Sequence, residues 1–217
     1  MRTRIKVCCM ASSGEVAMAV SRGADAVGLV AEMPSGPGPI SDDLAAELAR
    51  AVPPGVAAFL LSSREDGGAL AAHAREVGAG VLQIVRHVEP AEHARIRRAA
   101  PGLKIVQVVH VEDEASVALA RRYADTADAL LLDSGRPGAA VAELGGTGRA
   151  HDWTLSRRIV EASRVPVWLA GGLNPGNVAE AIRQVRPFGV DVCSGLRPGG
   201  GLDEARLEAF VQAVQAV

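Results

Sequence analysis

The sequence predicts an α/β fold that closes into a (β/α)8 barrel, and three observations predict it. Eight short apolar runs of β-branched character recur about every 20–30 residues, as strands do when helices separate them. Segments with apolar residues three or four apart lie between the runs. Glycine-rich loops follow runs six, seven and eight, not run one, where a doubly wound open sheet would place its phosphate loop. The open sheet is the competing architecture, because strand order is invisible in a sequence.

In order, the runs span residues 4–10, 26–30, 56–61, 81–85, 104–110, 129–133, 165–170 and 189–194. Helical spacing covers 41–52, 90–100, 112–123, 152–162, 174–185 and 203–216. Ser41 and Asp152 are placed to cap helix starts, and Asn174 followed by Pro175 reads as a cap with proline in the first turn. Gly23, Gly78 and Gly102 stand just past helix ends, where a left-handed residue is usual. Parallel strands joined by helical crossovers must be covered on both faces, and eight such units can close on themselves. No linker divides the chain, so 1–217 is expected to be one domain, with Pro34 to Pro39 a flexible loop after strand two.

The 217 residues carry 23 Lys and Arg against 25 Asp and Glu, with no basic block. That leaves no electrostatic footprint for nucleic acid or an anionic membrane, and a small-molecule partner is expected. The N-terminal residues lack the apolar stretch of about 7–15 residues that a signal peptide needs, and no run reaches the roughly 18 residues of a membrane span. A cytoplasmic protein, monomeric or homodimeric, is expected. The three cysteines show neither a disulfide framework nor zinc spacing; adjacent Cys8 and Cys9 point to opposite faces of a strand and do not bridge easily. Cys193 and Trp168 read as core.

In a barrel the chemistry sits at the C-terminal ends of the strands. The three glycine clusters there, Gly145 to Gly148, Gly171 with Gly172, and Ser194 with Gly195, are the strongest local signal. Bare backbone amides let phosphate oxygens approach, which makes Gly146, Thr147, Gly148, Gly171, Gly172, Ser194 and Gly195 candidate phosphate ligands. Tight βα turns are the structural alternative. Asp133 ends the apolar run ALLLD, an expensive place for a carboxylate unless it is used or paired; capping the following loop is its other reading. Cys8 could be a small buried hydrophobe, but Lys6 two residues earlier faces the same side and would lower a thiol pKa. Gln83, Arg86 and His110 also end strands, His110 with a structural role as its alternative. His73, His87, His93 and His151 show no metal spacing and read as surface residues, and no metal or cofactor is expected.

Several stretches together resemble a known family. Lys6-Val7-Cys8-Cys9-Met10, the run from Gly23 to Gly28, Leu130 to Ser134, Gly145 to Gly148 with Asp152 and Trp153, Leu169 to Pro175, Asn177-Val178 and Gly189 to Gly195 are similar, in order, to phosphoribosylanthranilate isomerases. The resemblance implies a (β/α)8 barrel of tryptophan biosynthesis. It also implies an aldose–ketose Amadori rearrangement, of an N-phosphoribosyl aminobenzoate to the 1-deoxyribulose 5-phosphate, without a cofactor. By position it implies Asp133 as the general acid that opens the sugar and Cys8 as the general base that takes the C2 proton. The glycine loops would hold the 5-phosphate.

The first half departs from the family pattern. Cys9 stands where the strand-one motif has glycine, and Gly36-Pro37-Gly38 replaces a Ser-Pro-Arg whose arginine grips the aromatic carboxylate. Gln83 is followed by Ile84, Val85 and Arg86 in place of Leu-His-Gly, and Arg197 replaces a glutamate. Lys6, Gln83, Arg86 and Arg197 are therefore the candidate substrate-binding side chains, with Arg86 or Arg197 as a relocated carboxylate contact. Three readings stand: the isomerase itself, a diverged isomerase of another phosphosugar amine, and a non-catalytic phosphosugar-binding barrel.

Overall fold

A computed structural model describes residues 2–34, 36–135 and 151–217. Eight parallel strands close in sequence order, β1 (Arg4–Val7), β2 (Ala26–Val30), β3 (Ala57–Ser62), β4 (Val81–Ile84), β5 (Lys104–His110), β6 (Ala129–Asp133), β7 (Val167–Leu169) and β8 (Gly189–Val192), with β8 returning to pair with β1. The closed ring settles the choice against an open sheet. Around it run α1 (Ser13–Ser21), α2 (Asp42–Ala51), α3 (Gly67–Val77), α4 (Pro90–Ala99), α5 (Glu114–Ala124), α6 (Trp153–Ala162), α7 (Val178–Val185) and α8 (Glu204–Gln215). Among the described residues, no helix is long and apolar enough to cross a membrane.

Strand parity divides the core in two. Outward residues such as Ile5, Val7, Leu130, Leu132, Val190 and Val192 pack against the helices. Inward residues, among them Val30, Phe59, Leu61, Val106, Leu131 and Trp168, fill the barrel. The same alternation turns Lys6, Gln83, Asp133 and Asp191 inward, because each shares parity with an inward neighbour on its strand or across the register.

The expected caps hold at Ser41, which accepts from the Leu44 N–H, and at Asp152, which accepts from the Thr154 N–H. Gly78 ends α3 in the left-handed region at φ 76°. The Asn174-Pro175 start is corrected: α7 begins at Val178 with Asn177 as its cap. Asn174 serves a turn instead, its Oδ1 accepting from the Gly176 N–H while its own N–H donates to Asn177 Oδ1. Both asparagine side chains donate to the Gly172 carbonyl, at 3.2 and 3.0 Å, and so fix the loop after β7.

The histidine expectation also changes. His73 is buried between Ser62 and Asp42, and His93 between Thr126 and Gln107, because each turns from its helix into a polar gap against the sheet. His151 is half-buried, bonds Ser156 through Nε2, and lies beside Gly171; burial pushes its pKa down to about 4. His87 alone of the four is half-exposed, with its ring bonded to the Tyr123 hydroxyl.

Candidate active site

The C-terminal mouth of the barrel holds a cleft. Cys8, Asp133 and Asp191 reach it from β1, β6 and β8, Gln83 and Val85 from β4, and Gly171, Gly172 and Ser194 from the last two loops. Val30, Met33, Gly36, Pro37 and Leu61 line the side nearest β2 and β3.

An ion pair forms the floor. Lys6 is fully buried, and its Nζ donates to Asp191 Oδ2 at 2.8 Å while standing 5.4 Å above the Phe59 ring. Burial opposes the lysine charge, but Asp191 and Cys8 outweigh it and raise its pKa. A buried charge of this kind persists only when it is paired. Lys6 thus lies beneath the cleft lining and acts on it through Asp191, whose Oδ1 is buried without a partner among the described residues. The sequence reading missed Asp191, although GVDV places a carboxylate in an apolar run just as ALLLD does.

Cys8 is buried against the bare Gly28 of β2, where a Cβ would stand 2.5 Å from its sulfur. Lys6 favours the thiolate as expected, but burial dominates and the Asp191 charge adds to it, so the thiol is pushed up to about 11. The expected lowering is therefore reversed: burial outweighs the Lys6 charge, and the Asp191 charge works against it as well. Asp133 is likewise pushed up by burial, to about 6, with the Asp191 charge adding to the shift and the Ser134 N–H, 2.7 Å from Oδ1, opposing it. A carboxyl near 6 is suited to proton donation close to neutrality.

The loops after β7 and β8 carry the described part of the phosphate candidates; Gly146, Thr147 and Gly148 lie outside the described residues. Gly171 and Gly172 take φ of 84° and 65°. Ser194 and Gly195 open a single 3-10 turn, Ser194–Leu196, so their N–H groups have no intrahelical partner. A Cβ at Gly195 would come within 2.1 Å of the Leu173 carbonyl, which packs the two loops together only because residue 195 is glycine.

The cysteine expectation is corrected at this rim. Cys9 and Cys193 form a disulfide, with Cα atoms 6.1 Å apart, leaving Cys8 as the free thiol. Parity makes a bridge from Cys8 to Cys9 difficult, but closure of β8 onto β1 supplies a partner for Cys9 from the far end of the chain. Cys193 is consequently a rim residue and not core, whereas Trp168 is buried as expected. Cys9 has φ 65°, a left-handed conformation costing a non-glycine residue about 1–2 kcal/mol. A Cβ on Gly38 would lie 2.6 Å from the Cys9 Cβ, so the cysteine at 9 and the glycine at 38 fit as a pair.

The two arginines sit elsewhere. Arg197, with a side chain 6 % exposed, is committed to Glu15 at 2.7 Å and reaches the Cys8 carbonyl at 3.5 Å. Arg86 pairs with Glu65 at 3.3 Å and is not part of the cleft lining. Gln83 does line the cleft, and its Oε1 is buried with no partner among the described residues. His110 is buried at the end of β5, in register with Asp133. No group of metal-ligating side chains occurs among the described residues.

Residues 5–213 match the family profile of N-(5'-phosphoribosyl)anthranilate isomerase. The chain belongs to this family. The enzyme of that name from Haloferax volcanii is 40% identical over 215 residues, covering 98% of this chain and 93% of its own. That from Methanocella arvoryzae is 34% identical, with 98% of each chain covered. Among solved structures, the phosphoribosylanthranilate isomerase of Thermotoga maritima aligns with a TM-score of 0.82 at 30% identity, over 99% of this chain and 100% of that one. A family structure in complex with reduced 1-(o-carboxyphenylamino)-1-deoxyribulose 5-phosphate aligns at 0.80 with 28% identity, over 99% of this chain and 100% of that one.

Proposed function

We propose that this chain isomerises N-(5'-phosphoribosyl)anthranilate to 1-(o-carboxyphenylamino)-1-deoxyribulose 5-phosphate, with Asp133 as acid and Cys8 as base. The observation that carries the reading is one cleft lined by both groups, floored by Lys6 and Asp191 and bordered by the glycine loops after β7 and β8. The names of its relatives support the same substrate.

The roles follow from proton bookkeeping. Asp133 gives a proton to the ring oxygen; the C1–O bond breaks and the amine lone pair forms the C1=N iminium. Cys8, as thiolate, takes the C2 proton, and its electron pair gives the enolamine. Loss of the C2 hydroxyl proton and protonation at C1 then give the ketose, an isomerisation with no net loss of atoms. The unpartnered Asp191 Oδ1 and Gln83 Oε1 can accept sugar hydroxyls, and the N–H groups of Gly171, Gly172, Ser194 and Gly195 can receive the phosphate.

The test is loss of phosphoribosylanthranilate fluorescence with purified protein, Cys8→Ala and Asp133→Ala. Turnover by the wild type and its collapse in both variants is expected; an inactive wild type rejects the reading. A second reading keeps the chemistry and changes the aglycone. It is favoured by the apolar lining from Val30, Met33, Pro37, Leu61 and Val85, and by the commitment of both Arg86 and Arg197 to carboxylates. Equal or better kcat/KM on a phosphoribosyl arylamine without the carboxylate would select it.

A further inference from the structure

Arg197 belongs to two parts of the site at once. Its backbone closes the turn after β8: its N–H donates to the Ser194 carbonyl at 3.1 Å, and its carbonyl accepts from the Gly200 N–H at 3.2 Å. Ser194 and Gly195 open that turn with the N–H groups assigned above to the phosphate. Its side chain reaches across to the end of β1, where Nη2 donates to the Cys8 carbonyl at 3.5 Å. The Cys8 N–H donates to the Val192 carbonyl at 2.8 Å. Both peptide groups that flank the thiol-bearing carbon are thus held from β8 and the loop after it.

The guanidinium is itself braced. Glu15, the third residue of α1, accepts Nη1 on Oε1 at 3.0 Å and Nη2 on Oε2 at 2.7 Å, a bidentate pair that a lysine cannot make. Oε1 also accepts the Leu202 N–H and Oε2 the Ala11 N–H, each at 3.0 Å, so one carboxylate joins the loops after β1 and β8. The two side chains are only 6 % and 14 % exposed. Net stability is a poor reason for a pair so withdrawn from water, since apolar residues of similar volume often serve as well. What the pair adds is a fixed geometry between two loops.

We propose that Arg197, braced by Glu15, is a positioning residue for the isomerisation: it fixes the spacing between the phosphate turn after β8 and the Cys8 sulfur, so that seating the phosphate brings C2 to the base. Neither Arg197 nor Glu15 lines the cleft, so the pair acts through the backbone of Cys8 and of the turn, not on the substrate. The inference rests on Cys8 as the base and on the turn at Ser194 and Gly195 as a phosphate seat.

The test measures the single-turnover rate at saturation, its half-saturation constant, competitive inhibition by inorganic phosphate and the melting temperature. It compares wild type, Arg197→Met, Arg197→Lys and Arg197→Met/Glu15→Gln, with rates taken well below each melting temperature. Arg197→Met should lower the single-turnover rate by about 10- to 100-fold, since misplacing a reacting group by about 1 Å costs up to about 10²-fold. The half-saturation and phosphate inhibition constants should stay within about threefold, because the turn keeps its backbone bonds and Leu202 keeps Glu15. Arg197→Lys keeps the charge without the fork and should fall between. The double variant removes both charges and keeps an acceptor for Leu202; its melting temperature should return towards that of wild type while its rate stays low, which separates positioning from stability. A rate that recovers together with the melting temperature overturns the proposal. So does an Arg197→Met that weakens phosphate and substrate binding at an unchanged rate, which would place the arginine with the phosphate alone. If Arg197→Met does not fold, Arg197→Lys and the double variant carry the same comparison. An inactive wild type, or full activity in Cys8→Ala, overturns the reading beneath the inference; an active wild type that needs Cys8 and is indifferent to Arg197 overturns the inference alone.

Discussion

The sector formed by β6, β7, β8 and β1 differs in kind from the one formed by β2, β3 and β4. The first gathers Asp133, Asp191, Lys6, Cys8 and the glycine loops, and its groups are tied to one another by an ion pair and a disulfide. The second offers Val30, Met33, Leu61 and Val85 to the same cleft, with Gln83 as its polar group among the described residues. Bond-making chemistry demands fixed charges at fixed distances, whereas an aromatic ring needs a shaped apolar wall. The first sector can change little without losing the reaction; the second can be rebuilt around a different ring.

That contrast is open to attack, beginning where the effect should be largest. Asp133→Asn should lower kcat/KM by about 10²- to 10⁴-fold, the usual range for a general acid, and Cys8→Ala by a similar factor. Asp133→Asn should also stabilise the fold. A carboxyl raised to about 6 contributes its stability below its unfolded pKa and loses it as pH rises through 6, so the wild type is penalised at pH 8 and not at pH 3. Thermal melts should show the variant ahead by about 1–3 kcal/mol at pH 8, with the gap closing in acid.

Lys6→Met comes next, since it strands Asp191; a loss of about 3–5 kcal/mol in denaturant unfolding is expected, with much of it restored in Lys6→Met/Asp191→Leu. A stable single variant would mean that the polar sector is less interlocked than its geometry. The pH profile is a gentler probe. With the proposed acid, Asp133, near 6 and the proposed base, Cys8, near 11, kcat/KM should rise up to about 6, as thiolate accumulates while Asp133 is still protonated. It should stay level and fall above about 11, a plateau on which the productive protonation state is a constant minority. The smallest effect belongs to Arg86→Ala, whose half-exposed pair with Glu65 should cost under about 1 kcal/mol and leave KM within about twofold. A tenfold rise in KM would give the apolar sector a cation and erase the contrast.

What could be read from the sequence follows the same division. The periodicity of 2 along strand one was enough to turn Lys6 and Cys8 inward, the end of an apolar run marked out Asp133, and the spacing of the glycines located the last two loops. Properties that depend on closure were hidden. The Cys9–Cys193 bond and the Lys6–Asp191 pair both cross from β1 to β8, and no local pattern announces that those strands are neighbours. The thiol shift of Cys8 had the opposite sign to expectation, because desolvation depends on how much protein surrounds the sulfur and Asp191 cancels much of Lys6. Asp191 itself was legible by the argument used for Asp133. His73 and His93 were misplaced because helical periodicity shows that a side chain points at the sheet only when the facing strand is also known, here Ser62 and Gln107.

The β1–β8 seam has a bearing on how the protein is made. Lys6 leaves the ribosome 185 residues before its partner Asp191, and Cys9 precedes Cys193 by 184. A nascent chain therefore carries an unmatched lysine and an unpaired thiol until the last strand emerges, and the lysine cannot be buried at low cost before then. Asp133, Cys8 and the ion pair beneath them come together in the same event that shuts the barrel, so a partly synthesised chain has no assembled cleft.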